Sequence, residues 1–147
     1  MCEGSMKDVL RNLIFILGLV ISSGASALET TLILPVDGQK VIFCRYLTTK
    51  ASGLYYAPKS VKKTPEGYYE MLSLVEYNRP NDKGVQRVVV EQYLAEEYYL
   101  VSRMVGFSAS NIVVYDNFVE SLRWNYISPQ DIASVLLYLA KENLHEV

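Results

Sequence analysis

Between Thr30 and Ile127 the chain is a succession of short β-branched and aromatic runs separated by polar turns, and helical periodicity appears only after Ser128. This order restricts the fold, because strands joined by short turns pair antiparallel whereas parallel pairing needs long crossovers. Thr30 to Leu34 and Lys40 to Leu47 flank Pro35-Val36-Asp37-Gly38 and predict a first hairpin. Gly53 to Tyr56 predicts a short strand that Ala57-Pro58-Lys59-Ser60 turns aside into one helical turn. From Tyr68 to Tyr77, residues Tyr69, Met71, Val75 and Tyr77 alternate with Glu70 and Glu76, the pattern of a half-buried strand. Asn78 to Gly84 is a polar turn leading into Val85 to Leu94, and Ala95-Glu96-Glu97 closes a second hairpin with Tyr98 to Phe107. Ile112 to Tyr115 and Trp124 to Ile127 read as extended, giving about five to six strands in one sheet.

Ser128-Pro129-Gln130-Asp131 predicts a helix start, with Ser128 capping, Pro129 at the first helical position and Asp131 in the first turn. Ile132, Val135, Leu136 and Leu139 recur at spacings of three and four, so one helical face is expected to lie on the sheet, with Trp124 beneath it as a packing anchor. The expected class is α+β: an antiparallel sheet with a C-terminal helix packed on one face.

Ahead of the strands, Lys7 and Arg11 precede an apolar run, Leu13 to Ile21, and a small-residue tract ending Ala25-Ser26-Ala27. That order predicts a secretory signal peptide over residues 1–27, cleaved before Leu28. The apolar run is about half the roughly 20 residues that a membrane-crossing helix needs, so no stable membrane insertion is expected after cleavage. Residues 28–147 are about 120 residues, the size of a single domain. The expected location is periplasmic, or secreted to the cell surface.

Removing Lys7, Arg11, Glu3 and Asp8 leaves the formal charge at −2. The densest basic cluster is Lys59, Lys62 and Lys63, too little for a phosphate-binding face, so nucleic acid is not an expected partner. Only Cys44 follows the signal segment, where it is expected as a buried inert thiol. His145, the one histidine, stands three residues from the C-terminus, so neither a zinc site of the usual ligands nor a His-based catalytic triad is expected. Gly67, Gly84 and Gly106 are isolated and form no phosphate-cradling loop. Carboxylates at Glu96, Glu97, Asp116 and Glu120 are the remaining catalytic candidates, and they read as a solvated face. The expectation is no enzyme, no cofactor and no metal.

Three stretches carry a family resemblance. Tyr55-Tyr56-Ala57-Pro58-Lys59-Ser60-Val61, Tyr68 to Tyr77, and above all Trp124-Asn125-Tyr126-Ile127-Ser128-Pro129-Gln130-Asp131-Ile132 resemble, in order and spacing, the surface-adhesin protein E family of Gram-negative bacteria. The resemblance implies an antiparallel sheet with a C-terminal helix, and adhesion to host extracellular-matrix or serum proteins. It also marks departures. Family members often carry cysteines at positions matching Leu94 and Ala140, and an Asp where this chain has Ala57. The lipid anchor of the founding member has no counterpart.

Tyrosine is the positive signal for function. All 12 lie beyond the signal segment, with doublets at Tyr55-Tyr56, Tyr68-Tyr69 and Tyr98-Tyr99. Adjacent strand residues face opposite sides of a sheet, so one ring of each doublet is expected outward. Tyrosine combines large apolar area with a polar tip and little entropy to lose, which suits recognition surfaces. The candidate partner-binding residues are Tyr55, Tyr56, Tyr68, Tyr98, Tyr99 and the nearby Arg103. The expected function is a non-enzymatic exported domain that presents a Tyr-rich sheet face to a protein partner. The alternative is a periplasmic carrier with an apolar pocket between sheet and helix, which would show an enclosed cavity instead of an exposed aromatic patch.

Overall fold

The computed structural model describes residues 28–120 and 122–144. The segment at 1–27, where a signal peptide is expected, and His145 lie outside the described residues. The strands are β1 (Glu29–Ile33), β2 (Lys40–Thr48), β3 (Ser52–Tyr56), β4 (Lys62–Lys63), β5 (Tyr69–Tyr77), β6 (Arg87–Leu94), β7 (Tyr98–Phe107), β8 (Val113–Phe118) and β9 (Asn125–Tyr126); helix α1 spans Ile132–Asn143. Every pairing is antiparallel, in the order β1-β2-β3-β5-β6-β7-β8, with β4 added on β5 and β9 on β7. The α+β class holds, with more strands than the five to six expected: seven follow one another across the sheet, and the two-residue strands Lys62-Lys63 and Asn125-Tyr126 are added to β5 and β7.

The sheet curls into a half-barrel, so both of its faces are covered. On one, the helix face, Leu54, Tyr56, Met71, Leu94 and Ile127 pack against Ala133, Leu136, Leu137, Leu139 and Ala140. On the concave inner face, Leu32, Leu34, Val41 and Phe43 from the first hairpin meet Tyr55, Leu72, Leu74, Val89, Val105 and Phe107. This second core changes the reading of β5. Met71 and Leu74 are both fully buried, so the strand is covered on both sides where the alternation predicted one. It also changes the first doublet: Tyr55 and Tyr56 do point to opposite faces, but each is only 1% exposed because each face is a core.

Cys44 is buried as expected but is a disulfide cysteine, not a free thiol. Leu94 and Ala140, the positions at which the resemblance would place paired cysteines, are both fully buried in the helix-face core.

The helix starts later than the sequence suggests. Ser128 to Asp131 closes a turn in which the Asp131 amide donates to the Ser128 carbonyl at 3.0 Å and the Asp131 carboxylate accepts from the Ser128 amide at 3.0 Å. Asp131 is therefore the N-cap residue, and Ser128 belongs to the preceding turn. The Ser134 hydroxyl donates to the Asp131 carbonyl at 2.7 Å and ties the turn to the first helical residues. The buried stripe is Ala133, Leu136, Leu137, Leu139 and Ala140, with Val135 partly covered and Ile132 exposed.

This geometry predicts a ranking in urea melts. Ser128→Ala is nearly silent, because its hydroxyl makes no hydrogen bond among the described residues. Asp131→Ala costs about 0.5–1.5 kcal/mol for one lost hydrogen bond, and Leu136→Ala roughly 2–5 kcal/mol for lost burial and a cavity. An Asp131→Ala variant no less stable than Ser128→Ala would contradict the assigned cap.

Candidate binding site

The six residues singled out from sequence divide between interior and surface. Tyr55 and Tyr56 are core residues, and Arg103 is 7% exposed, so none of the three is presented to a partner. Arg103 holds the inner face together instead. Its Nε and Nη2 donate to the two carboxylate oxygens of Asp116, each at 2.9 Å, and Nη2 also donates to the Pro35 carbonyl at 3.1 Å. Its guanidinium lies 4.7 Å from the Phe118 ring centroid. A single side chain thus joins β7, β8 and the turn of the first hairpin, a two-pronged geometry that Arg supplies and Lys cannot. The Arg103 hydrogen bonds hold the Asp116 carboxyl below its usual range, with burial opposing.

Tyr55 belongs to a second polar chain on the inner face. Its hydroxyl donates to Glu76 at 3.3 Å, Glu76 accepts from Arg87 Nε at 2.8 Å, and Arg87 Nη1 reaches the Ala109 carbonyl at 3.2 Å and Asn111 Oδ1 at 3.1 Å. Burial first, and then the Glu76 charge, push the Tyr55 phenol up. These carboxylates are occupied structurally: Asp116 by Arg103, Glu76 by Arg87, and Glu96 by Lys141 at 2.8 Å. Among the described residues no group of three His, Cys, Asp or Glu side chains could hold a metal ion, and no helix is long and apolar enough to cross a membrane.

The remaining three candidates lie at one end of the sheet. Register places Tyr69, Leu94, Tyr99 and Asn125 in one row across β5, β6, β7 and β9, and the neighbouring aromatic rings border that row. Tyr69 and Tyr99 pack partly against the helix-face core. Their doublet partners turn the other way. Tyr98, 45% exposed, meets Tyr126 edge-on with centroids 6.0 Å apart, and Tyr126 is 64% exposed. Tyr68 meets Trp124 at 4.8 Å. Trp124 is therefore not an anchor beneath the helix but an exposed ring folded onto Tyr68. Tyr98-Tyr99 obeys the expectation of one outward ring; Tyr68 and Tyr69 are both half-buried, and Tyr55 and Tyr56 are both core.

Trp124 and Tyr126 were not among the candidates from sequence, although their spacing of two in an extended segment was a usable sign. Tyr93 lies opposite Glu70 in the register, and its phenol is pushed up by burial first and then by the charges of Glu70, Glu91 and Glu66. Lys62 stands opposite Glu70, and the Lys63 ammonium lies 5.5 Å from the Tyr69 ring centroid, so charges of both signs border the aromatic end.

An open cleft lies elsewhere on the helix face, beyond the helix, with a volume of about 730 Å³. Its lining includes Val75, Val88, Val90 and Met104 and no residue of α1, so it is not the pocket between sheet and helix that a carrier was expected to have. Comparison with known protein families, curated proteins and solved structures finds no match to the chain.

The Arg103–Asp116 pair predicts a pH dependence of stability. Because the folded pKa of Asp116 is depressed, its contribution is present above about pH 4, the unfolded value, and is lost as pH falls through the lower folded value. Asp116→Asn should cost about 1.5–3 kcal/mol at pH 7, the range for hydrogen bonds to charged groups. Its deficit relative to the native chain should shrink in urea melts near pH 3, and a deficit unchanged with pH would assign the loss to packing alone.

Proposed function

We propose that this chain is a non-enzymatic binding domain that takes a protein partner on the aromatic end formed by Tyr68, Tyr98, Trp124 and Tyr126. The observation that supports this reading is two pairs of rings in contact at one end of the sheet, Tyr98 with Tyr126 and Tyr68 with Trp124, in which Tyr98, Tyr126 and Trp124 are 45%, 64% and 38% exposed. A solvent-facing ring with a polar tip gains most when a partner covers it, which is why Trp and Tyr dominate interface hot spots. Arg103 contributes at second hand, by fixing the β7–β8 edge beside this end. Guanidinium or ammonium groups of a partner can stack on the exposed rings.

In the same proposal the domain is exported through the segment at 1–27 and acts in the bacterial envelope or beyond it, as the resemblance to surface-adhesin protein E implies. Host matrix or serum proteins are then the first partners to test, and envelope proteins the second. The cleft on the helix face is open to solvent, which weighs against an enclosed-cavity carrier as the main role.

The test is retention of serum or envelope proteins on the immobilised domain, identified by mass spectrometry, against Trp124→Ala and Tyr126→Ala. Both rings are exposed, so both variants should keep the native melting temperature. Each should weaken binding of the retained partner by at least about 1 kcal/mol, roughly fivefold. Undiminished retention by the two variants together would remove the aromatic end from the interface.

A further inference from the structure

The cleft of about 730 Å³ has a volume within the ~300–1,000 Å³ usual for small-molecule sites. Its floor is the stretch of the helix face that α1 leaves open. Val75 on β5 and Val88 and Val90 on β6 alternate toward this face, Met104 on β7 continues the row, and Tyr115 on β8 borders it. Tyr115 is seated by a particular device. It stands opposite Gly106, where an added Cβ would lie 2.2 Å from the Tyr115 ring, so the ring lies flat over bare backbone and no side chain rises between it and the floor.

The opposite wall is made of two turns tied to each other. Asn78 donates from its side-chain amide to the Lys50 carbonyl, and its backbone amide donates to the Ala51 carbonyl at 3.2 Å. Thr49 Oγ1 accepts from the Ser52 amide at 3.1 Å and the Ala51 amide at 3.3 Å, which sets the first turn. Asn81 Oδ1 accepts from the amides of Lys83 at 2.9 Å and Val85 at 3.0 Å, which sets the second. The wall is thus in place without a ligand.

Charge on the lining runs against that of the whole chain. Lys50 and Arg79 are the charged residues of the cleft, no Asp or Glu lines it, and neither cation takes part in an ion pair among the described residues. The chain as a whole is at −2, so a doubly positive rim on an aliphatic floor is a local departure. A ligand that suits both parts has a hydrocarbon segment for Val75, Val88, Val90 and Met104 and an anionic head for Lys50 and Arg79.

We propose that the cleft binds a free, single-chain aliphatic carboxylate, laying its chain across β5, β6 and β7 and its head between Lys50 and Arg79. A monomeric amphiphile fits better than a bilayer surface, because the apolar residues form the floor of a walled cleft and do not project from it. This site is separate from the aromatic end of the Proposed function, and neither depends on the other.

The experiment is equilibrium dialysis of labelled dodecanoate, below its micelle concentration, against the folded domain. Saturable binding of one molecule per chain is expected. Lys50→Glu with Arg79→Glu, both exposed, should weaken dodecanoate at least tenfold with an unchanged urea midpoint, and should create affinity for dodecyltrimethylammonium, which the native chain binds poorly. Met104→Glu should weaken dodecanoate through the floor, while Trp124→Ala and Tyr126→Ala leave it unchanged. Three results would overturn the proposal: no saturable uptake of dodecanoate; equal affinity of the native chain for the anionic and cationic amphiphiles; or association with phosphatidylglycerol vesicles without uptake of the monomer.

Discussion

A sheet buried on both faces is the constraint from which most of this structure follows. Strands in such a sheet need apolar side chains at consecutive positions, as at Phe43 and Cys44, Tyr55 and Tyr56, and Met71 and Leu72, all of which are buried. A flat antiparallel sheet with one helix would leave one of these residues in water at each step. The curl brings the first hairpin over the concave face and covers the second set. The 3-10 turn Pro58–Ser60 helps, since the Ser60 hydroxyl accepts from the Leu72 amide at 2.9 Å and the Ala57 amide donates to the Leu72 carbonyl at 3.0 Å, so the chain leaving β3 stays bound to β5.

Closing an apolar concave face leaves polar groups at its margins that must find partners, because an unsatisfied buried group costs more than a hydrogen bond contributes. Two arginines meet this need. Arg103 pairs with Asp116 and reaches the Pro35 carbonyl, and Arg87 pairs with Glu76 and reaches the loop after β7. Among the described residues no buried side-chain polar atom lacks a partner. The helix face uses Gln92, which donates to Ser73 Oγ at 2.9 Å, for the same purpose. These residues are charged or polar because of where the sheet edges meet, and that explains why Arg103, although next to an aromatic doublet in sequence, has no part in the surface.

The order of strands, both hairpins, the turn at Pro58 and the terminal helix were legible because each is a local signal: alternation, turn residues, a three-four spacing. The curl was not, since it is a long-range property. Sequence shows that Leu72 and Leu74 lie opposite Met71 on β5, but not that Leu32 and Phe43 will come round to cover them. That one omission turned Tyr55 and Tyr56 from surface candidates into core. The helix cap was misplaced for a smaller reason: Ser128 and Asp131 both suit the role, and the choice depends on the turn that Asp131 closes back on Ser128. Tyr98 stays 45% exposed because its strand ends beyond the reach of both cores.

The division of the helix face between core and cleft has a simple dimensional cause. Twelve residues of α1 make a rod about 18 Å long and about 10 Å wide. The nine residues of β5 alone extend about 30 Å, and neighbouring strands lie about 4.8 Å apart. One such helix cannot roof β5, β6, β7 and β8 together. It covers the end carrying Met71, Leu94 and Ile127, and Val75 marks its limit, packed partly against the helix-face core on one side and lining the cleft on the other. Beyond that limit the face stays apolar, with Val88, Val90 and Met104, though no part of this helix reaches it. Met104, 37% exposed, carries a solubility cost that a polar residue would remove, whereas Val88, 8% exposed, is already largely covered. That uncovered stretch lies beneath Lys50 and Arg79, neither of which takes part in an ion pair among the described residues.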